Sequence, residues 1–371
     1  MNMKKAVLIL TMLVMAFSFP GGIKASDGGD AGKIDPKEII FEHLGDGYGW
    51  EVPFNHHKRM PLPIIVFGKD GLHCFSSSRL AEGKEYRDGD AVFKIAGKDS
   101  KYKGKVVEMV DGEEYRPWDF SITKNVCGVF IAVILVMWSV LAVARWHKRM
   151  AMKAPRKVVG IIEALISFIY DGVIRPTLKD RAQKFAPYLL SVFFFILYMN
   201  LLGLIVIFPG GANLTGNIAV TLVLSILTFL VTNLFGTKHY WKEVLWPDVP
   251  MWLKVPIPIM PVIEIFGVFT KPAALTVRLF ANMLGGHMIV IVLTLLIFIF
   301  AAMGPVVTGA TTVMSVFFSI FMLLIDVLVS FIQAYVFTML STLFISFGQE
   351  HGHEQHEKGA EQLQPQIIEN K

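Results

Sequence analysis

Cysteine is nearly absent: Cys74 and Cys127 are the only two in 371 residues. Lying far apart, they provide neither a disulfide framework nor a thiolate metal centre, and nothing in them points to redox chemistry. Charge is scarce as well. Asp, Glu, Lys and Arg make up 18% of the chain against 54% hydrophobic residues, and mean hydropathy is +0.54, an imbalance that a water-soluble fold cannot hide. The chain reads as an integral membrane protein. No Gly-x4-Gly-Lys-Ser/Thr segment occurs, so P-loop nucleotide chemistry is excluded. The basic excess is small, +5. It gathers beside apolar runs rather than in a soluble patch, which argues for loops held on the cytoplasmic side and against nucleic acid.

What is present divides the chain into four parts. Residues 1–26 carry Lys4 and Lys5, an apolar run from Ala6 to Phe19, a break at Pro20-Gly21-Gly22 and a small-residue end at Ala25-Ser26. That is the order of a cleavable signal peptide; the apolar run is too short to span comfortably as an anchor. Residues 27–124 are polar, with turns at Asp46-Gly47 and Asp88-Gly89-Asp90 and short alternating runs such as Ala91 to Ile95. They predict a small extracytoplasmic module rich in strand and loop. Its His43, His56, His57 and His73 match no metal-ligand spacing and read as surface residues. Residues 125–350 form a membrane domain, and 351–371 a polar, disordered cytoplasmic tail whose His351, His353 and His356 are read as solvated rather than metal-binding.

Five membrane passages are expected, giving an all-α polytopic domain. Asn125 to Ala144 carries no charge and is followed by Arg145, His147, Lys148 and Arg149, which mark a cytoplasmic end. Ile161 to Ile174 has polar residues at helical spacing and predicts an amphipathic helix at the cytoplasmic interface. Phe185 to Thr237 is uncharged but interrupted at Pro209 to Asn217, a transmembrane hairpin. Trp241, Trp246, Trp252, Pro256 and Pro258 form an interfacial loop. Two long apolar segments, about Pro261 to Phe300 and about Thr311 to Phe347, follow on either side of a turn at Gly304-Pro305. Each exceeds what a perpendicular crossing needs, so each must tilt strongly or break.

Ionisable residues inside these last segments are costly, at roughly 2.5 to 3.5 kcal/mol each at mid-membrane, and such residues line ion paths or pair with one another. Glu264, Lys271 and Arg278 are spaced by seven and share one helix face, Asn282 extends the stripe, and His287 falls on the opposite side. Asp326 and Gln333 share a face in the last segment. Lys271 either snorkels or belongs to a packing network. Arg278 keeps its proton and has no acid at i±3 or i±4, so it is placed to meet a mobile charge. His287 and Asp326 are groups that exchange protons, or else a static pair. Asn200 is either a helix-helix hydrogen bond or part of a channel wall. A secondary transporter is the alternative class, but no pair of repeated halves with matching broken helices is visible.

The stretches Pro261 to Gly267 and Thr270-Lys271-Pro272-Ala273-Ala274-Leu275-Thr276-Val277-Arg278-Leu279-Phe280-Ala281-Asn282-Met283-Leu284-Gly285-Gly286-His287 closely resemble the signature of subunit a of F-type ATP synthases. Met199 to Leu204, Asn213 to Thr221 and Gln333 to Phe337 are similar to that family's hairpin and last helix, and the resemblance runs from about Phe120 to Phe347. It implies a non-catalytic, proton-translocating subunit of a bacterial inner membrane with no cofactor. The implied partners are a rotating ring of c subunits, the b-subunit peripheral stalk, the other synthase subunits and membrane lipid. It further implies that Arg278 faces the ring, that Asn282, His287, Asp326 and Gln333 line the half-channel open to the exterior, and that Glu264 lies in the cytoplasmic one. The acid and imidazole at His287 and Asp326 are exchanged relative to many bacterial relatives, an order found in mitochondrial ones.

Overall fold

The computed structural model describes residues 46–52, 55–89, 91–97, 100–110, 113–149, 157–205, 214–245, 259–301 and 305–349. The signal peptide expected at 1–26, His43, most of the hairpin turn, the loop 246–258 and the tail 351–371 lie outside the described residues.

Among the described residues, short alternating segments separated by Gly and Asp pair as nine strands. β1 (Gly49–Val52) and β2 (Asn55–Pro61) form one antiparallel pair. β3 (Pro63–Gly68) lies between β4 (Gly71–Ser76) and β9 (Trp118–Asp119). β5 (Tyr86–Asp88), β6 (Ala91–Ile95), β7 (Val106–Val110) and β8 (Glu113–Tyr115) form a meander. Alternation puts Ile64, Val66, Phe75, Phe93 and Val106 into a shared core with Tyr48 and Leu80. The Tyr48 hydroxyl donates to the Asp119 carboxylate and accepts from the Val106 amide at 3.3 Å, tying β9 to the core. Burial, and then the Asp119 hydrogen bond, push its ionisation well above the ordinary tyrosine range.

Helices follow without an intervening linker. α1 (Lys124–Arg149) ends on His147, Lys148 and Arg149, cations that suit the negative end of a helix dipole. α2 (Lys157–Ile169) buries Ile162 and Ile169 on one side, as an amphipathic helix should, and continues through a single π turn (Tyr170–Ile174) into the short α3 (Arg175–Leu178). His147 Nε2 meets Glu163 Oε1 at 3.0 Å, joining the basic end of α1 to α2. Lys179, at φ 46°, turns the chain into α4 (Ala182–Leu204). α5 (Ile218–Leu234) is capped by Asn217, whose side chain accepts from the Ala219 amide at 3.0 Å. The short α6 (Lys238–Leu245) precedes α7 (Ile259–Ala301) and α8 (Pro305–Gln349).

Among the described residues, four stretches are long and apolar enough to cross a membrane: Lys124–Arg149, Lys157–Leu204, Val262–Leu293 and Gly309–Gln349, with α5 as a shorter fifth. The two long final segments do not break. α7 runs helically through Pro272 for 43 residues, and α8 for 45. The chain is a mostly helical, multi-pass membrane protein with a strand-rich N-terminal region.

Its residues form two compact units, to which α1, α4, α7 and α8 each contribute on both sides of the division. One comprises residues up to Val133, Met199–Leu214 and Leu284–Val327; the other comprises Ile134–Tyr198, Thr215–Met283 and the chain from Leu328. In the first, Leu214 is fully buried against α1 at Gly128, where a Cβ would stand 2.8 Å from its Cδ2. In the second, aromatic contacts of Phe331 with Phe193 (6.0 Å) and of Tyr335 with Phe168 (5.8 Å) seat α8 on α4 and α2. The Thr237 amide donates to the Gly348 carbonyl at 2.9 Å.

Candidate functional site

Exposure within the helices is inverted relative to a soluble protein. Val223, Leu227, Phe266, Phe317 and Leu328 face outward, whereas Asn200, Thr221, Ser225, Thr228, Gln333 and Thr338 are buried. The buried hydroxyls stay satisfied by bonding back into their own helices: Ser225 to the Thr221 carbonyl at 3.0 Å, Thr232 to that of Thr228 at 2.9 Å, Thr338 to that of Ala334 at 2.8 Å. The apolar outside is what lipid requires.

Arg278 departs from that rule. It stands midway along the Val262–Leu293 stretch and is exposed, and among the described residues it has no hydrogen-bond or ion-pair partner. Around it the outward face of α7 is built from small side chains, Ala273, Ala274, Val277 and Ala281, with Asn282 also exposed. Glu264 and Lys271, two heptads and one heptad earlier, are only half-exposed. A repeat of seven drifts by about 20° per step on a straight helix, so the stripe rotates outward as it approaches Arg278.

At Lys271 the stripe borders a small cavity of mixed apolar and hydroxyl lining. Lys271 lines it together with Thr228, Thr232, Asn233, Tyr240 and Phe344, and its ammonium lies 5.5 Å from the centre of the Phe344 ring. That contact, rather than a free snorkelling side chain, is what the structure gives Lys271. The Tyr240 hydroxyl donates to Asn233 Oδ1 at 3.2 Å, and its ionisation is pushed up by burial and then by the charge of Glu264. The hydroxyl residues of this cavity were not singled out from sequence, although the 4-3-4 spacing of Thr221, Ser225, Thr228 and Thr232 carries the signal: it is the spacing of a single helix face.

The later half of α7 meets Asp326. Gly286 is buried, and a Cβ there would lie 2.7 Å from Asp326 Oδ1, so the carboxylate of α8 rests on the α7 backbone at the residue before His287. The structure thus brings together the two helix positions that carry the imidazole and the acid. Gln333 is buried two turns further along α8, and Asn200 is fully buried in α4.

Residues 126–346 match the family described as ATP synthase A chain, and residues 39–120 match a domain of unknown function (DUF8433). ATP synthase subunit a 2 of Chlorobaculum tepidum is 43% identical over 256 residues, covering 66% of this chain and 68% of that one. ATP synthase subunit a of Pelodictyon phaeoclathratiforme is 42% identical over 250 residues, covering 65% and 69%. The Myxococcus xanthus subunit a is 39% identical over 256 residues, covering 65% and 79%. With the larger part of its length matched, and the helices, mid-span arginine and paired polar positions falling inside that match, this chain belongs to the ATP synthase A chain family, subunit a of the synthase.

Proposed function

We propose that this chain is the stationary proton-conducting subunit of the synthase and performs no bond chemistry itself. The observation that carries the reading is Arg278, a permanent cation exposed at mid-span on a face of small side chains. Against lipid such a residue costs several kcal/mol. Against a ring of helices that each carry a carboxylate, it is matched by a charge that moves. The small side chains of Ala274 and Ala281 let those helices come close.

Protons then take two separate routes. From the exterior they pass His287 and Asp326, with Asn282, Gln333 and Asn200 along the wall, and neutralise a ring carboxylate. After nearly a full turn of the ring they leave past Glu264 and the cavity beside Lys271. The guanidinium separates the two routes because it repels a proton crossing directly and attracts the deprotonated carboxylate. The potential supplies about 2.3 kcal/mol per charge per 100 mV, and rotation sums several such steps. The strand module is exported, the C-terminus is cytoplasmic, and the partners are the c ring, the peripheral stalk of b subunits and the remaining synthase subunits.

Membrane vesicles carrying Arg278→Ala test this reading. The complex should assemble, as shown by co-purification of the other subunits, yet neither synthesise ATP nor pump protons on ATP hydrolysis. Wild-type synthesis in that variant would overturn it.

A further inference from the structure

The sheet β4-β3-β9 has two unlike faces. Ile64, Val66 and Phe75 point into the module core. On the opposite side Leu72, Phe67 and Trp118 stand abreast in one cross-strand row, since Phe67 pairs with both of the others. They are 67%, 51% and 70% exposed. The next row on that side holds Cys74, paired with Ile65, and Phe120, whose amide donates to the Ile65 carbonyl at 2.9 Å. No charged side chain interrupts the two rows; Lys69, Asp70 and Arg116 stand at the rim. Single exposed apolar residues are ordinary, but a contiguous aromatic face marks a surface that meets something apolar.

The chain's own course indicates what that is. The sheet continues into the first membrane-spanning helix by hydrogen bonds rather than by a linker. Ile122 donates to the Pro63 carbonyl at 3.1 Å, Lys124 to the Gly47 carbonyl at 3.0 Å, and the Ile65 amide to Ser121 Oγ at 3.1 Å. The uncharged span starts at Asn125. Phe120 and Trp118 therefore lie no more than about 18 and 25 Å of extended chain from the hydrocarbon boundary, and the hydrogen bonds that fold this segment back onto the sheet bring them nearer to an interfacial layer about 5 to 8 Å deep. Trp and Phe are residues that settle in such a layer, and basic residues at the rim suit its headgroups. We propose that the Leu72-Phe67-Trp118 face rests on the lipid surface, so that the module is a membrane-seated foot that fixes the angle of α1. The inference requires only that α1 crosses the membrane, and it holds whichever side the module occupies.

Native Cys74 lies in the face and is exposed, so it serves as the probe without altering any apolar residue of the rows. In Cys127→Ser chains within the intact synthase, reconstituted in phosphatidylcholine and phosphatidylglycerol vesicles, Cys74 is labelled with a fluorophore. Its quenching by brominated lipid and by aqueous iodide is compared with a label at exposed Arg87 of β5 (Arg87→Cys in a Cys74→Ser, Cys127→Ser chain). The expected result is several-fold stronger lipid quenching at position 74 than at 87, with iodide showing the reverse. Equal iodide access at both positions would overturn the proposal. So would shielding from both quenchers, since that identifies a protein covering the face. A second label in place of Leu72, at the hairpin tip, guards against a distortion local to Cys74.

Discussion

The strand module and the membrane helices solve opposite burial problems with one chain. In the module Phe93, Ile64 and Val66 are inside, and the charged residues Lys94 and Glu114 meet at 2.9 Å on its exterior. In the helices Val223 and Phe317 face out, while Ser225, Thr338 and Asn200 are inside. The contrast shows that exposure has meaning only relative to solvent. An exposed Lys on the module is ordinary, whereas an exposed Arg278 in mid-span requires a partner. By the same reasoning, the exposed Trp118 row requires an apolar neighbour although it belongs to the water-facing region.

The largest effect expected from breaking this pattern is at Arg278. Replacing it by Ala should abolish coupled transport, and replacing it by Lys should retain only part of it, because a deprotonatable ammonium holds the barrier less firmly than a guanidinium. Proton pumping in vesicles reads both. Next is Gly286→Val. The added side chain enters space taken by the Asp326 carboxylate, an overpacking of about 1–3 kcal/mol, and should slow proton uptake strongly. Because it acts through Asp326, the Gly286→Val, Asp326→Ala double variant should be no slower than Asp326→Ala alone. His287→Asp combined with Asp326→His keeps one acid and one imidazole, and should recover part of the rate lost in either alanine variant. Recovery of nothing would mean the two residues act separately.

Smaller effects belong to the module. Tyr48→Phe leaves the Asp119 carboxylate and the Val106 amide without their shared hydroxyl. It should cost about 1–3 kcal/mol, read as faster hydrogen exchange across β3, β7 and β9 in the intact complex. In the wild type the raised ionisation of Tyr48 favours its neutral form on folding. That contribution is complete below the ordinary value of 10.0 and is lost as pH rises beyond it, so the module should become protease-sensitive in alkali, and Tyr48→Phe should remove that dependence. Glu114 behaves oppositely and more weakly. The Ser100 hydroxyl and then Lys94 lower its ionisation below the ordinary 4.5. Its contribution is present above that value and declines as pH falls through the lowered one, so Glu114→Gln should flatten a slight loss of protection in acid.

Much of this was legible in the sequence for physical reasons. Long uncharged runs define membrane helices because bilayer thickness fixes their length. Seven-residue spacing placed Glu264, Lys271 and Arg278 on one stripe because the helical period fixes the face. Contacts between helices were not legible. Nothing local in Gly286 announces that Asp326 lies against it, since a glycine yields space equally to a turn, a bulge or a neighbour. The cavity beside Lys271 was also missed: Thr228 and Thr232 look like ordinary residues of an apolar helix until Tyr240 and Phe344 close around them. The pairing of Phe67 with both Leu72 and Trp118 depends on β9 joining a sheet 50 residues earlier in the chain, and sequence alternation does not reveal register between distant strands.

The central claim is that the outward face of α7 around Arg278 meets moving protein helices while the other outward faces meet lipid. Photocrosslinking side chains at Ala274 and Ala281, compared with one at Val223 of α5, test it in the intact, membrane-embedded synthase. The account predicts protein adducts with the ring subunit from Ala274 and Ala281, distributed over all ring copies when rotation is driven by ATP, and lipid adducts alone from Val223. Lipid adducts from all three positions would contradict it.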